Sequence, residues 1–198
     1  LSSSSAASDV YKRQTVKTTG KLKSVTMTNE MGVEVKEKLS KDAKTWSTAE
    51  DLGYNHTYSI VASDVDGNKK KLSFSTPQAA GVAEVSLTPI PDSEVGVGQV
   101  IGVNFGVPIT DRKAAEKTIT VTTNPEVKGA FYWVNNQEVR WRPKEYWEPG
   151  TKVEVKVDQY GKDLGGGIYG GENAKTNFTI GDRTVAIIDN ATKTMKVF

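Results

Sequence analysis

The sequence contains no cysteine and a single histidine, His56. Without cysteine there are no disulfides, thiolate metal sites or cysteine nucleophiles within the chain. One histidine cannot make a multi-histidine metal site or a Ser-His-Asp triad supported by a second histidine. Neither sign of charge dominates. Lys and Arg number 26 against 24 Asp and Glu, a formal net charge of +2. That balance exerts no global pull toward nucleic acid or an anionic membrane, so neither is expected as a partner. No run is long or apolar enough for a membrane helix, and no signal peptide is visible in a chain that starts at Leu1 rather than Met. With 198 residues, 36% of them hydrophobic, there is material for one large or two small domains, each with a modest core.

The richest stretch runs from Gly129 to Gly150, GAFYWVNNQEVRWRPKEYWEPG, and holds Trp133, Trp141 and Trp147 of the four tryptophans. It reads as a β-hairpin. Phe131 and Trp133 alternate with Tyr132 and Val134, and Val139 and Trp141 alternate with Glu138 and Arg140. Asn135-Asn136-Gln137 lies between, and asparagine tolerates the left-handed backbone of a tight loop. A three-residue loop pairs Val134 with Glu138, Trp133 with Val139 and Phe131 with Trp141. Phe131, Trp133, Val139 and Trp141 then share one face as a core hairpin, with Glu138 and Arg140 on the other. A slip of one residue would mix the two sets.

Along the chain, residues 1–14, LSSSSAASDVYKRQ, show no periodicity and read as a disordered tail. They resemble a translated adapter or vector junction, a sequence artefact outside the fold. From Thr15 to about residue 78 the pattern is short strands and turns, with alternation around Val25–Met27, Val33–Val35, Trp46, Tyr58–Ala62 and Leu72–Phe74. That makes about five strands where a sandwich of immunoglobulin type has about seven, so the first domain is expected to lack leading strands and to carry a partly uncovered core. Pro77-Gln78-Ala79-Ala80-Gly81 is a short linker. A second, more complete sandwich spans 82–182, with inner strands at Val100–Phe105, Ile119–Val121 and Val153–Val157. It has a helical turn at Asp111–Lys117 capped by Thr110 or Asp111, and a glycine-rich loop at Tyr160–Glu172. Residues 183–198 read as two strands across Asp189-Asn190-Ala191, the start of a further domain. The fold class is therefore all-β: two tandem sandwiches, the first incomplete, plus the first hairpin of a truncated third domain.

Candidate chemistry is sparse. Gly165-Gly166-Gly167 and Gly170-Gly171 lack the Lys-Ser/Thr and the helix of a phosphate cradle and read as a flexible loop. Asp64-Val65-Asp66-Gly67-Asn68 starts like a calcium loop, but no distal glutamate follows, so it reads as a hairpin turn. His56 reads as an exposed loop residue. Asn55, Asn177 and Asn190 begin Asn-x-Ser/Thr sequons. The tryptophans could stack on sugar rings. Trp147, beyond the hairpin, is the one expected to be partly exposed, and with Tyr169 of the glycine-rich loop it forms a candidate glycan-facing pair. No catalytic, cofactor-binding or metal-ligating residue is assigned.

Three further stretches, Val95-Gly96-Val97-Gly98-Gln99-Val100-Ile101-Gly102-Val103-Asn104-Phe105, Pro108 to Arg112, and Gly129 to Pro143, are similar to one family. They resemble the bacterial immunoglobulin-like domain that precedes the catalytic domain of actinobacterial, mycobacterial-type L,D-transpeptidases. Tyr160-Gly161 to Gly165 and Asn177 to Asp182 resemble the end of that domain. Lys44–Trp46 and Leu52–Asn55 resemble its membrane-proximal neighbour. The resemblance implies an extracytoplasmic, membrane-anchored parent on the cell-wall side that forms 3→3 cross-links in peptidoglycan. A cysteine in a Ser-His-Gly-Cys motif would act as nucleophile, with a histidine as base. This chain has no such motif, so the implied role is a non-catalytic spacer for a catalytic domain absent here. Its membrane contact would come through an N-terminal anchor, also absent here. An adhesin-like or carbohydrate-binding module is the alternative.

Overall fold

The computed structural model describes residues 2–3 and 14–198. Strand accounts for 49% of the chain and helix for 3%. The chain divides into two compact units, Leu1–Ala79 and Ala80–Phe198. The residues read as a tail lie outside the described part, apart from Ser2, Ser3 and Gln14.

In the first unit the strands are β1 (Ser2–Ser3), β2 (Thr15–Lys17), β3 (Leu22–Asn29), β4 (Glu37–Leu39), β5 (Thr45–Thr48), β6 (Thr57–Asp64) and β7 (Lys69–Ser75). They form two sheets, β1-β2-β5-β4 and β3-β6-β7. Alternate residues turn inward, and Val16, Leu22, Val25, Met27, Trp46, Leu52, Tyr58, Ile60 and Ala62 make the buried cluster between them. The strand count thus exceeds the sequence reading by two. Thr15–Lys17 is too short to show alternation, yet Val16 pairs with Trp46 and is buried. Gln14, grouped with the tail by sequence, is also buried, and its amide donates to Thr48 Oγ1 at 3.1 Å. These contacts add to the core at the end where the sequence predicted a gap. Val33–Val35 is not a strand of its own. It bridges back to β3, with the Val35 amide on the Met27 carbonyl at 2.9 Å, and the next strand falls at Glu37–Leu39. Trp46 is held by its indole N–H, which donates to Glu37 Oε2 at 2.7 Å. Lys69, Lys70 and Lys71 place charge on the edge strand β7, which discourages pairing with other chains.

The second unit contains β8 (Gly81–Ala83), β9 (Ser86–Thr88), β10 (Ser93–Val95), β11 (Ile101–Asn104), α1 (Arg112–Lys117) and β12 (Ile119–Asn124). It continues with β13 (Gly129–Trp133), β14 (Glu138–Pro143), β15 (Lys152–Val157), β16 (Ile168–Gly170), β17 (Ala174–Ile180), β18 (Ala186–Asp189) and β19 (Thr194–Val197). One sheet runs β10-β17-β15-β12 and the other β13-β14-β11-β9. Each contributes its apolar face to one core that includes Ile101, Val103, Phe105, Val139, Trp141, Val153, Val155, Phe178 and Ile180. Burial of such faces between two layers is the main stabilising term in a sandwich. Asp111 caps α1, its Oδ1 accepting the Ala114 amide at 2.9 Å. The glycine-rich loop is more ordered than its composition predicts. It contains β16, which pairs in parallel with β8, and Gly165, Gly166 and Gly167 all have positive φ, a conformation open to glycine at little cost.

The hairpin β13–β14 has the predicted register. Phe131 lies opposite Trp141 and Trp133 opposite Val139, and the Val134 amide donates to the Glu138 carbonyl at 3.0 Å. The loop works differently from the prediction. No residue of Asn135–Gln137 has positive φ. Instead Asn135 Oδ1 accepts the amides of Gln137 at 2.7 Å and Glu138 at 2.8 Å, so the side chain closes the turn.

Candidate functional site

Trp147, the residue predicted to face glycan, is 2% exposed. Its indole N–H donates to the Gln99 carbonyl at 2.7 Å, and its ring lies 5.6 Å from Trp141 and edge-on to Phe178 at 6.5 Å. A ring enclosed on these sides has no face for a sugar, so the prediction for Trp147 is corrected. Alternation could not reveal this, because Trp147 follows Pro143 outside the strand and its partner is 48 residues away. Tyr169 is half-buried in β16 opposite Val82. The two residues therefore do not form a shared platform. Of the hairpin residues, Val139 and Trp141 are buried, while Phe131 and Trp133 are half-buried against the same core. Trp133 lies between the Phe105 ring at 6.0 Å and the Arg112 guanidinium at 5.1 Å, and its indole N–H donates to Glu116 Oε1 at 2.7 Å.

His56 makes a structural pair. Its Nδ1 lies 2.7 Å from Glu30 Oε1, and Glu30 Oε2 accepts the Thr57 amide at 2.8 Å. The hydrogen bond from His56, followed by backbone amides, holds the Glu30 carboxyl down at about 2. Asp64 Oδ1 accepts the amides of Asp66 at 3.0 Å and Asn68 at 2.8 Å, which makes Asp64–Asn68 a side-chain-closed turn. Among the described residues no group of three or more His, Cys, Asp or Glu could hold a metal ion.

The outward face of sheet β13-β14-β11-β9 carries a shaped polar surface. Because inward positions hold Val139, Trp141, Ile101 and Val103, the alternate positions point out. In register they form a row, Tyr132–Arg140–Gly102–Thr88, with Glu138–Asn104–Ser86 beside it. Gly102 has no side chain, so the row dips between Arg140 and Thr88. Built there, a Cβ would meet Thr88 Cβ at 3.6 Å. The resulting groove has a volume of about 350 Å³. At Gln99 and Val100 it meets a second hollow of about 230 Å³ that extends to Arg142 and Tyr146. Arg140 Nε donates to Glu138 Oε1 at 2.6 Å. That carboxylate, and next the Tyr132 hydroxyl, raise the Arg140 pKa above its ordinary value, so the guanidinium stays charged and oriented. Tyr146 is 72% exposed at the far end. Its neighbours are pinned, with the Lys144 amide on the Lys128 carbonyl at 2.9 Å and the Trp147 amide on the Val97 carbonyl at 2.9 Å.

The groove offers a guanidinium, a carboxylate, amides and hydroxyls, but no nucleophile beside a base. It can hydrogen-bond a polyhydroxyl ligand. The sequence reading assigned Glu138 and Arg140 to the outward face without giving them a role. Gly102 and Tyr146 carried no local signal. A larger cleft of about 670 Å³ beside α1 is lined by Lys113, Lys117 and Lys162 together with Asp111, Asp158 and Asp163, so its formal charges cancel.

A family model described as bacterial Ig domain matches residues 6–163. The chain belongs to the bacterial Ig domain family. This bacterial Ig domain chain is 46% identical over 181 residues to L,D-transpeptidase 2 of Mycobacterium tuberculosis (strain CDC 1551 / Oshkosh), covering 90% of this chain and 44% of that protein. It is 32% identical over 169 residues to L,D-transpeptidase 5 of M. tuberculosis (strain ATCC 25618 / H37Rv), covering 81% and 38%. A solved LD transpeptidase in complex with imipenem is 31% identical, with 58% of this chain and 47% of that one covered and a TM-score of 0.47. The bacterial Ig domain chain thus spans less than half the length of the curated relatives it matches. Among its described residues no helix is long and apolar enough to cross a membrane.

Proposed function

We propose that the two units are the non-catalytic spacer and mount of a peptidoglycan L,D-transpeptidase that forms 3→3 cross-links in the cell wall. The observation that carries this reading is the 46% identity to L,D-transpeptidase 2 over 90% of the chain. Each unit has its own core, as a rigid mount requires. In this reading the units sit outside the cytoplasmic membrane and hold a catalytic domain at the depth of the wall. That domain would cover the apolar side chains of β18–β19, where Ile188 is 75% and Met195 63% exposed. The membrane is met through an anchor elsewhere in the parent protein, and nucleic acid has no part.

The test is a long flexible insertion after Gly181 in the full parent enzyme. Cross-linking by the purified enzyme on soluble peptides is expected to persist, while 3→3 cross-links in cells fall. Unchanged cross-linking in cells refutes the mount.

A second reading, a carbohydrate-binding module, is favoured by the groove between Tyr146 and Arg140. Titration with soluble peptidoglycan glycan fragments, followed by amide shifts of Gly102 and Arg140, separates the two. A spacer shows no saturable change, whereas a binding module shows shifts that Arg140→Ala removes.

A further inference from the structure

The strand pair β6–β7 ends at Thr57 opposite Ser75. Beyond it the buried Thr76 continues the ladder. Its amide donates to the His56 carbonyl at 2.9 Å, and its Oγ1 accepts the His56 amide at 3.1 Å. Pro77 comes next and has no N–H, so the backbone ladder cannot simply go on. Asn55 spans the interruption. Its backbone amide donates to the Pro77 carbonyl at 3.1 Å. Its side-chain Oδ1 accepts the Ala79 amide at 2.7 Å, and its Nδ2 donates to the Ala79 carbonyl at 3.2 Å. One carboxamide thus satisfies both backbone groups of one residue, the pairing a neighbouring strand would supply. Asn55 has φ +62°, a left-handed conformation that asparagine adopts more readily than most residues. On the other side, the Ala80 amide donates to the Gly167 carbonyl at 2.9 Å, and Gly81 begins β8.

We propose that Asn55 is a connector clamp, which makes Pro77–Ala79 part of the first unit. The composition of Pro77-Gln78-Ala79-Ala80-Gly81 reads as a linker, but each unit holds the residues on its own side. The role needs asparagine. Aspartate lacks the donor for the Ala79 carbonyl, and glycine keeps the backbone angle but loses both bonds. The clamp also accounts for the side-chain amide of the Asn55-His56-Thr57 sequon, which is engaged at both atoms. The inference does not depend on the transpeptidase reading.

Amide hydrogen exchange on the full chain tests it. In the wild type the Ala79 amide is protected. Asn55→Gly accelerates its exchange roughly tenfold or more, as expected when both bonds that order this segment are lost. The amides of Ile60 and Leu72 report that the fold is kept, and the Ala80 amide, held by Gly167, keeps its rate. A through-hydrogen-bond scalar coupling between Asn55 Cγ and Ala79 nitrogen reads the clamp in the wild type without any substitution. An Ala79 amide that exchanges like an unstructured peptide, no acceleration in folded Asn55→Gly, or an absent coupling overturns the proposal.

Discussion

The hairpins β13–β14 and β18–β19 turn on the same device. Asn135 Oδ1 accepts the amides two and three residues ahead, at 2.7 and 2.8 Å. Asp189 Oδ1 does the same for Ala191 and Thr192, at 2.8 and 3.3 Å. Both hairpins are antiparallel and in regular register. They differ in what lies against them. In β13–β14 one face is apolar, and it packs on Phe105 and the core. In β18–β19 every strand residue is exposed, including Ile187, Ile188, Met195 and Val197. Alternation and turn chemistry specify a hairpin, but only a second layer turns its apolar face into core.

The strongest way to break this contrast is to remove matched side chains. Trp141→Ala is expected to destabilise the second unit by about 3–5 kcal/mol, while Ile188→Ala changes global stability by no more than about 0.5 kcal/mol. Urea unfolding followed by intrinsic fluorescence checks the pair. Similar losses would mean that β18–β19 is packed in solution. Trp147→Phe probes the ring that the sequence placed at the surface. Loss of the indole donor to Gln99 is expected to cost about 1–3 kcal/mol, measured in the same titration, where a solvent-facing tryptophan would show almost none. Asn135→Ala is expected to cost about 1 kcal/mol by opening its turn, whereas Asp189→Ala shifts the amides of residues 186–197 without moving the global midpoint.

The smallest effect is a difference in acid response. Hydrogen bonds from the Thr192 side chain, then from the Thr192 and Ala191 amides, hold the Asp189 pKa below its ordinary 3.8. Its support for the turn is therefore complete above 3.8 and fades as pH falls through the lowered value. Asn135 does not titrate. Acidification is expected to loosen β18–β19 first and leave the β13–β14 turn unchanged, as read from amide shifts of Thr192 and Glu138. Equal shifts at both turns would contradict the assignment.

What could be read from the chain follows the same division. The register of β13–β14 was legible because four large apolar residues and a polar loop leave one good alignment. The all-β class was legible from repeated short alternations. Thr15–Lys17 escaped notice because three residues cannot display a period, and its membership in the sheet is decided by Trp46, thirty positions away. Burial of Trp147 was hidden for the same reason: apart from Trp141, the groups around it, Val97, Gln99 and Phe178, are remote in sequence. The groove was half legible. Outward placement of Glu138 and Arg140 followed from the pattern, but the dip at Gly102 depends on which strands become neighbours.

Two pairings set the order in which the second unit can be made. β8 pairs with β16 and β10 with β17, both in parallel. Parallel neighbours cannot be joined by a tight turn, so each pair waits for a distant partner. As the chain leaves the ribosome, Gly81–Ala83 and Ser93–Val95 emerge early and lack their parallel partners until Ile168–Gly170 and then Ala174–Ile180 appear. The hairpin β13–β14 can form in the interval from local contacts alone. Assembly of this unit is therefore completed by its last long strand, which seals the first strands into place.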